Sequence, residues 1–205
     1  LRGLLAEFGR VYPNSAAAAL SGARSALADE ALPPALRRSV ARQLEHLREL
    51  DAHLAECDRE IAQQARDDPR AVRVARLSGV GALTASAIAA TVADASQFRC
   101  GRQFAAWLGL TPRQYSTGGK ARLGRITCRG DSYLRGLLVQ GARSALQAAM
   151  RMAPERRSRL AAWMVATHLR IGYHKTLIAI ANKHARLIWV LLTRDEPLHA
   201  HAAVN

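Results

Sequence analysis

The apolar residues of this 205-residue chain recur mostly at steps of three and four, the repeat of an α-helix. The longest register runs through Leu36, Val40, Gln43, Leu47, Leu50, Leu54, Cys57 and Ile61 without a slip. Alternating steps of four and three over nearly four heptads place one seam on a single helix, residues 35–66, in the manner of a coiled coil. Charges of both signs flank it, among them Arg42, Glu45, Arg48, Glu49, Asp58 and Arg59, as a solvated exterior requires. Two arrangements satisfy such a seam: self-association, or packing against the rest of the chain. Asp67-Asp68-Pro69 ends the helix, because proline disfavours helical geometry in the residue before it. Upstream, a short amphipathic piece from Leu1 to Phe8, an alanine-rich stretch and the Pro33-Pro34 break predict two short helices joined by loops.

Downstream the pattern predicts further helices. One covers residues 99–108, with Phe104, Trp107 and Leu108 inward. Another covers residues 132–150 behind Asp131 as N-cap, with Tyr133, Leu134, Leu137, Leu138 and Ala142 on the buried face. Two more follow at 156–170 and 174–194, and the tail from Pro197 is expected to fray. Between them, Tyr115 to Gly124 is too glycine-rich for helix, and a small hairpin around 111–128 fits better. The fold class is therefore mainly α. A long coiled-coil-like helix precedes a helical domain that carries a helix–hairpin–helix-like element and a basic, glycine-rich loop. The expected division is a helical connector at 1–35, the long helix at 36–70 and a C-terminal domain at 71–205.

Charge changes the picture. Of thirty Lys and Arg, thirteen fall between Arg99 and Arg159, opposed only by Asp131 and Glu155. That segment carries +11 of the net +14, while residues 1–98 sum to zero. A charge so concentrated suits a polyanion, nucleic acid first, because each cation placed on a phosphate releases condensed counterions. Aromatic content is only 5%, which argues against base stacking as the main mode of recognition. The three cysteines, Cys57, Cys100 and Cys128, lie far apart without metal-ligand or disulfide spacing, which fits a reducing cytosol. The seven histidines, including His199 and His201, lack ligand partners and read as solvated or core residues. No metal site is expected. The most apolar stretch, from Thr176 to Leu192, is interrupted by Asn182, Lys183, His184 and Arg186, so no membrane association is expected.

Two places can meet phosphates. Leu77-Ser78-Gly79-Val80-Gly81, followed by Thr84, Ala85 and Ile88, has helix–hairpin–helix spacing. Gly79 and Gly81 would let main-chain N–H groups at a helix N-terminus approach a phosphate; a plain glycine turn between packed helices explains the same residues. The second place is Ser116-Thr117-Gly118-Gly119-Lys120, with Arg113 before it and Arg122, Arg125 and Arg129 after it. It is no P-loop, since Lys120 is followed by Ala121, and no G-x-S-x-G elbow is present. A serine hydroxyl among cations can serve phosphoryl transfer, and the same loop can bind phosphate without catalysis.

Three blocks carry a resemblance: LSGVGALTASAIAA, QFAAWLGLTPRQYSTGGKARLGRITCRGDSYLRGLLVQGAR and GYHKTLIAIANKHARLIWVLL. Together they resemble the C-terminal part of bacterial insertion-sequence-110 family transposases (also called IS116/IS110/IS902 transposases), particularly the insertion-sequence-1111 branch. The resemblance implies a DNA recombinase with a composite active site. An upstream RuvC-like domain would supply acidic residues for Mg²⁺, with no cofactor in the present segment. Ser116 would be the nucleophile that forms a covalent phosphoserine link to DNA, with Thr117 the lesser choice. Arg122, Arg125 and Arg129 would lie along DNA or a structured guide RNA, and residues 36–66 would support homo-oligomers. Because the acidic half would lie before Leu1, this segment is expected to be inactive alone. The alternatives are a non-enzymatic helix–hairpin–helix nucleic-acid-binding module and an inactive transposase remnant.

Overall fold

The computed structural model describes residues 1–117, 119–120 and 122–194. Nine α-helices and one pair of short strands occur among them, and the chain divides into two compact units, Leu1–Glu60 and Ile61–Asn205. Gly118 and the tail from residue 195, including Pro197, His199 and His201, lie outside the described residues.

In the first unit, α1 (Arg2–Ala6) and α2 (Ala16–Ala28) are the two short helices the sequence predicts. Ser15 caps α2 by accepting the Ala18 N–H at 3.1 Å. Arg10 forms an ion pair with Asp29 just past the end of α2. The long helix α3 (Pro34–Asp67) begins here, and Leu36, Val40 and Leu44 pack on Leu5, Ala23, Ala26 and Leu32. The heptad register is thus split. Its first turns are buried within the unit, whereas Leu47, Leu50 and Leu54 are 37%, 43% and 63% exposed and Cys57 is exposed.

The second unit is organised around α9 (Tyr173–Thr193), which packs on α4 (Pro69–Val74), α6 (Gly101–Trp107), α7 (Ser132–Arg151) and α8 (Arg159–Ile171). Helix α9 has no side-chain cap. Packing holds it instead: Ile180 and Ile188 are fully buried, as are Leu134, Leu138 and Leu146 of α7. Each contributes about 2 kcal/mol, more than a typical cap. Trp189 fastens the segment before α6, its indole N–H donating to the carbonyls of Ala95 and Phe98, both at 3.1 Å.

Helices α4 and α7 start at side-chain caps. Asp68 accepts the Arg70 N–H at 2.8 Å with Pro69 at the first turn of α4, and the same carboxylate pairs with the Arg70 side chain at 2.9 Å. That hydrogen-bonded guanidinium holds the Asp68 carboxyl below its ordinary range. Asp131 accepts the N–H groups of Tyr133 and Leu134 at the head of α7. Two inward assignments need correction. Tyr133 is 57% exposed and Trp107 37% exposed. The buried stripe of α7 runs through Leu134, Leu138, Gly141, Ala142, Ala145, Leu146 and Ala149, and 100° per residue turns Tyr133 off that stripe.

His184 lies at the centre of α9, fully buried, and neither ring nitrogen has a hydrogen-bond partner among the described residues. Burial lowers its pKa from 6.5 to about 4. Above pH 6.5 the imidazole is neutral in folded and unfolded chains alike, and the shift contributes nothing. Between pH 6.5 and about 4 only the unfolded chain takes up the proton, so stability falls as pH falls, by about 3 kcal/mol in all. Below that both forms are protonated and the loss levels off. Replacing His184 with leucine should flatten this acid slope and raise stability at pH 7 by ~1–2 kcal/mol. Urea unfolding between pH 7 and pH 4 measures both; an unchanged slope in the variant would show that other groups cause it.

Candidate active site and nucleic-acid interface

The serine loop is a β-hairpin. Strands β1 (Pro112–Gln114) and β2 (Leu123–Ile126) pair antiparallel, Pro112 opposite Ile126 and Gln114 opposite Leu123. The unequal spacing leaves a bulge in β2, which sharpens the local twist. Pairing continues outward: the Tyr115 N–H donates to the Arg122 carbonyl at 2.8 Å, and Lys120 N–H donates to Thr117 at 3.1 Å. Gly119 has φ 79°, the left-handed geometry for which glycine is suited.

The base of the hairpin is fixed to the helical core. Thr127 N–H donates to Thr111 at 2.8 Å, the Asn182 amide of α9 donates to the Leu110 carbonyl at 3.2 Å, and Leu108 and Leu110 are buried. Gly109 and Gly130, both with positive φ, lie where the chain leaving α6 crosses the chain entering α7. A methyl group on either would collide with the main chain of Arg129 or Trp107. Short strands that would be marginal alone are thereby held on a rigid support.

Ser116 is half-buried on this hairpin. Its Oγ accepts the main-chain N–H of Arg122 at 3.1 Å and the side-chain amide of Gln114, also at 3.1 Å. Thr117, Gly119, Lys120, Arg122 and Arg125 are exposed along the hairpin, and Arg129 is exposed at its base. Arg113 is exposed as well, with its guanidinium donating to the Thr127 carbonyl at 3.3 Å. On the opposite side of the strand from Ser116, the Tyr115 ring covers Gly124. Gln114 was not among the sequence candidates. The signal that could have found it is its spacing, since residues two apart on a strand share a face.

The other candidate glycines sit elsewhere. Gly79 and Gly81 belong to the turn between α4 and α5 (Ala82–Thr91). Gly79 has φ 84° and rests against Gly141 of α7 so closely that a methyl group on either would strike the other's carbonyl oxygen. Gly81 is different: it caps α5, is exposed and has open space where a side chain would stand. Gly141 is ten residues along α7 from Asp131, so this turn and the hairpin base are roughly 15 Å apart along that helix. They are two separate features of the fold.

Part of the basic segment has structural work. Arg135 donates to the carbonyls of Leu108 and Asp131, and Arg157 to those of Ala149 and Met152 at the end of α7. Among the described residues, no group of three or more His, Cys, Asp or Glu is placed to hold a metal ion, so these residues do not fit a Mg²⁺ site. No helix among them is long and apolar enough to cross a membrane.

A mainly helical scaffold that displays a serine on a basic hairpin agrees with what comparison shows: the chain is of the transposase class. Residues 71–161 match the family described as Transposase IS116/IS110/IS902 family. The chain is 43% identical over 198 residues to a probable family 20 transposase of Pseudomonas aeruginosa, covering 95% of this chain and 57% of that protein. It is 36% identical to the transposase for insertion sequence element IS1111A of Coxiella burnetii, covering 96% of this chain and 53% of that protein. With the transposase for IS1328 of Yersinia enterocolitica it shares 36% identity over 95% of this chain and 57% of the relative. The chain belongs to the IS116/IS110/IS902 family of insertion-sequence transposases and spans about half the length of these relatives.

The tight Gly79–Gly141 contact and the open Gly81 position should separate in a mutational test. Gly141→Ala, which forces a methyl group onto the Gly79 carbonyl, should destabilise the protein by about 3 kcal/mol. Gly81→Ala, entering open space, should cost ~1 kcal/mol or less. Thermal unfolding of both variants decides the matter, and equal losses would refute the close-approach assignment.

Proposed function

We propose that this chain is the serine-bearing segment of an insertion-sequence transposase that cuts and rejoins DNA through Ser116. The observation that carries the reading is the Ser116 Oγ itself. It is half-buried and held by two N–H donors, and the exposed cations Lys120, Arg122 and Arg125 lie on the same hairpin. In the proposed step Oγ attacks a DNA phosphorus, an Oγ–P bond forms and the bond to one deoxyribose oxygen breaks. The serine proton passes to solvent, and the departing oxygen takes one up. Attack on the phosphoserine by another deoxyribose hydroxyl reverses these changes and joins a new strand. The surrounding guanidinium and ammonium groups stabilise charge on the transferring phosphate. The Gly81 end of α5 adds a second, sequence-independent contact to the backbone.

Among the described residues no group is placed to hold Mg²⁺, and no step here is routed through it. Resemblance supports a structured guide RNA as a second polyanion on the +11 segment, and the bacterial cytoplasm as the place of action. The exposed middle of the α3 seam supports a homo-oligomer. One observation favours a binding-only reading: the Arg122 N–H to Ser116 Oγ bond also serves as a hairpin lock.

Ser116→Ala in the full-length gene product separates the two readings. We expect the covalent protein–DNA adduct, captured on a denaturing gel, to vanish while DNA affinity changes less than about two-fold. An adduct that persists in the variant rules Ser116 out. For the oligomer, Leu50→Glu with Leu54→Glu should convert a self-associating protein to a monomer with little effect on folding, because both side chains are exposed. Sedimentation measures this, and unsubstituted protein that sediments as a monomer at high concentration would overturn the proposal.

A further inference from the structure

We infer that Gln114 is a positioning residue that aims the Ser116 oxygen and stabilises its ionised form; this rests on the reading of Ser116 as nucleophile. Gln114 and Ser116 stand two residues apart on the same strand, so their side chains emerge on one face. The Gln114 amide nitrogen reaches back to Ser116 Oγ at 3.1 Å, opposite Leu123 on the neighbouring strand.

A neutral hydroxyl has two lone pairs and one proton. Both lone pairs of Ser116 Oγ are taken, one by the Arg122 main-chain N–H and one by Gln114. The O–H bond is left pointing away from both donors. When the proton departs to solvent water, a third lone pair appears along that direction, and it alone has no donor. The direction of proton loss becomes the direction of attack on phosphorus, so two neutral donors orient the nucleophile. Both bonds strengthen as charge gathers on the oxygen. Of the two donors, only Gln114 can be removed by substitution without altering the main chain.

The test is the single-turnover rate of protein–DNA adduct formation against pH in the full-length gene product. Gln114→Leu keeps the bulk and removes the donor. It should lower the rate about 10²-fold and move the pH–rate profile to higher pH, with DNA affinity and the unfolding midpoint unchanged. Gln114→Lys restores a donor and should recover most of the rate. A Gln114→Leu protein with the original rate and profile overturns the inference. So does a loss matched by equal losses of folding or DNA affinity, or a Gln114→Lys protein as slow as Gln114→Leu. Ser116→Ala runs in parallel: an adduct that survives it, or none in the unsubstituted protein, removes the serine reading and this inference with it.

Discussion

The hairpin depends on a crossing of two main-chain segments at its base. Residues leaving α6 and residues entering α7 pass so closely that only glycine fits at 109 and 130, and both take a positive φ. Cys128, beside them, adopts φ 53°, a left-handed geometry that costs a non-glycine residue roughly 1 kcal/mol or more. That strain is offset by burial of Leu108 and Leu110 and by the hydrogen bonds from Asn182, Thr127 and Arg135. A serine carried on strands of three and four residues is precise only because this knot joins them to α7 and α9.

The same geometry reapportions the charge. Summed over the sequence, the basic segment looks like one uniform surface. In the fold, Arg135 and Arg157 close the ends of helices by capping carbonyls, and Arg113 braces the hairpin across its strands. Lys120, Arg122, Arg125 and Arg129 are exposed on the hairpin and at its base, and Arg99, Arg102, Arg143, Arg151, Arg156 and Arg159 are exposed elsewhere in the segment. The α5 N-terminus behind Gly81 forms a second feature along α7. Its partner glycine, Gly79, serves packing, where a main-chain oxygen of α7 leaves no room for a side chain. Two glycines in one motif thus answer to different forces.

Helix α3 shows a comparable division. Its heptad register is unbroken in sequence, yet Leu36 and Val40 are sealed against α1 and α2 while Leu50 and Leu54 face solvent. Periodicity identifies the face of a helix that needs cover, because side chains three and four apart align. It does not identify what supplies the cover, since that depends on which surfaces meet.

Residue order by itself indicated a mainly helical chain, several of its helix boundaries and the family. Asp67-Asp68-Pro69 and Asp131 mark boundaries through local chemistry, and local chemistry is legible without a fold. The transposase blocks likewise carried their resemblance in the order of residues alone. Tyr133 was misjudged because its neighbour Leu134 defines the stripe, and a single helical pattern fixes its phase only when the opposing surface is known. The tertiary structure alone decided that Gly79 meets Gly141, that Asn182 meets Leu110, and that His184 lies buried with no hydrogen-bond partner among the described residues. Those contacts arise from segments folding back on one another at particular distances, and no linear pattern encodes a distance across space.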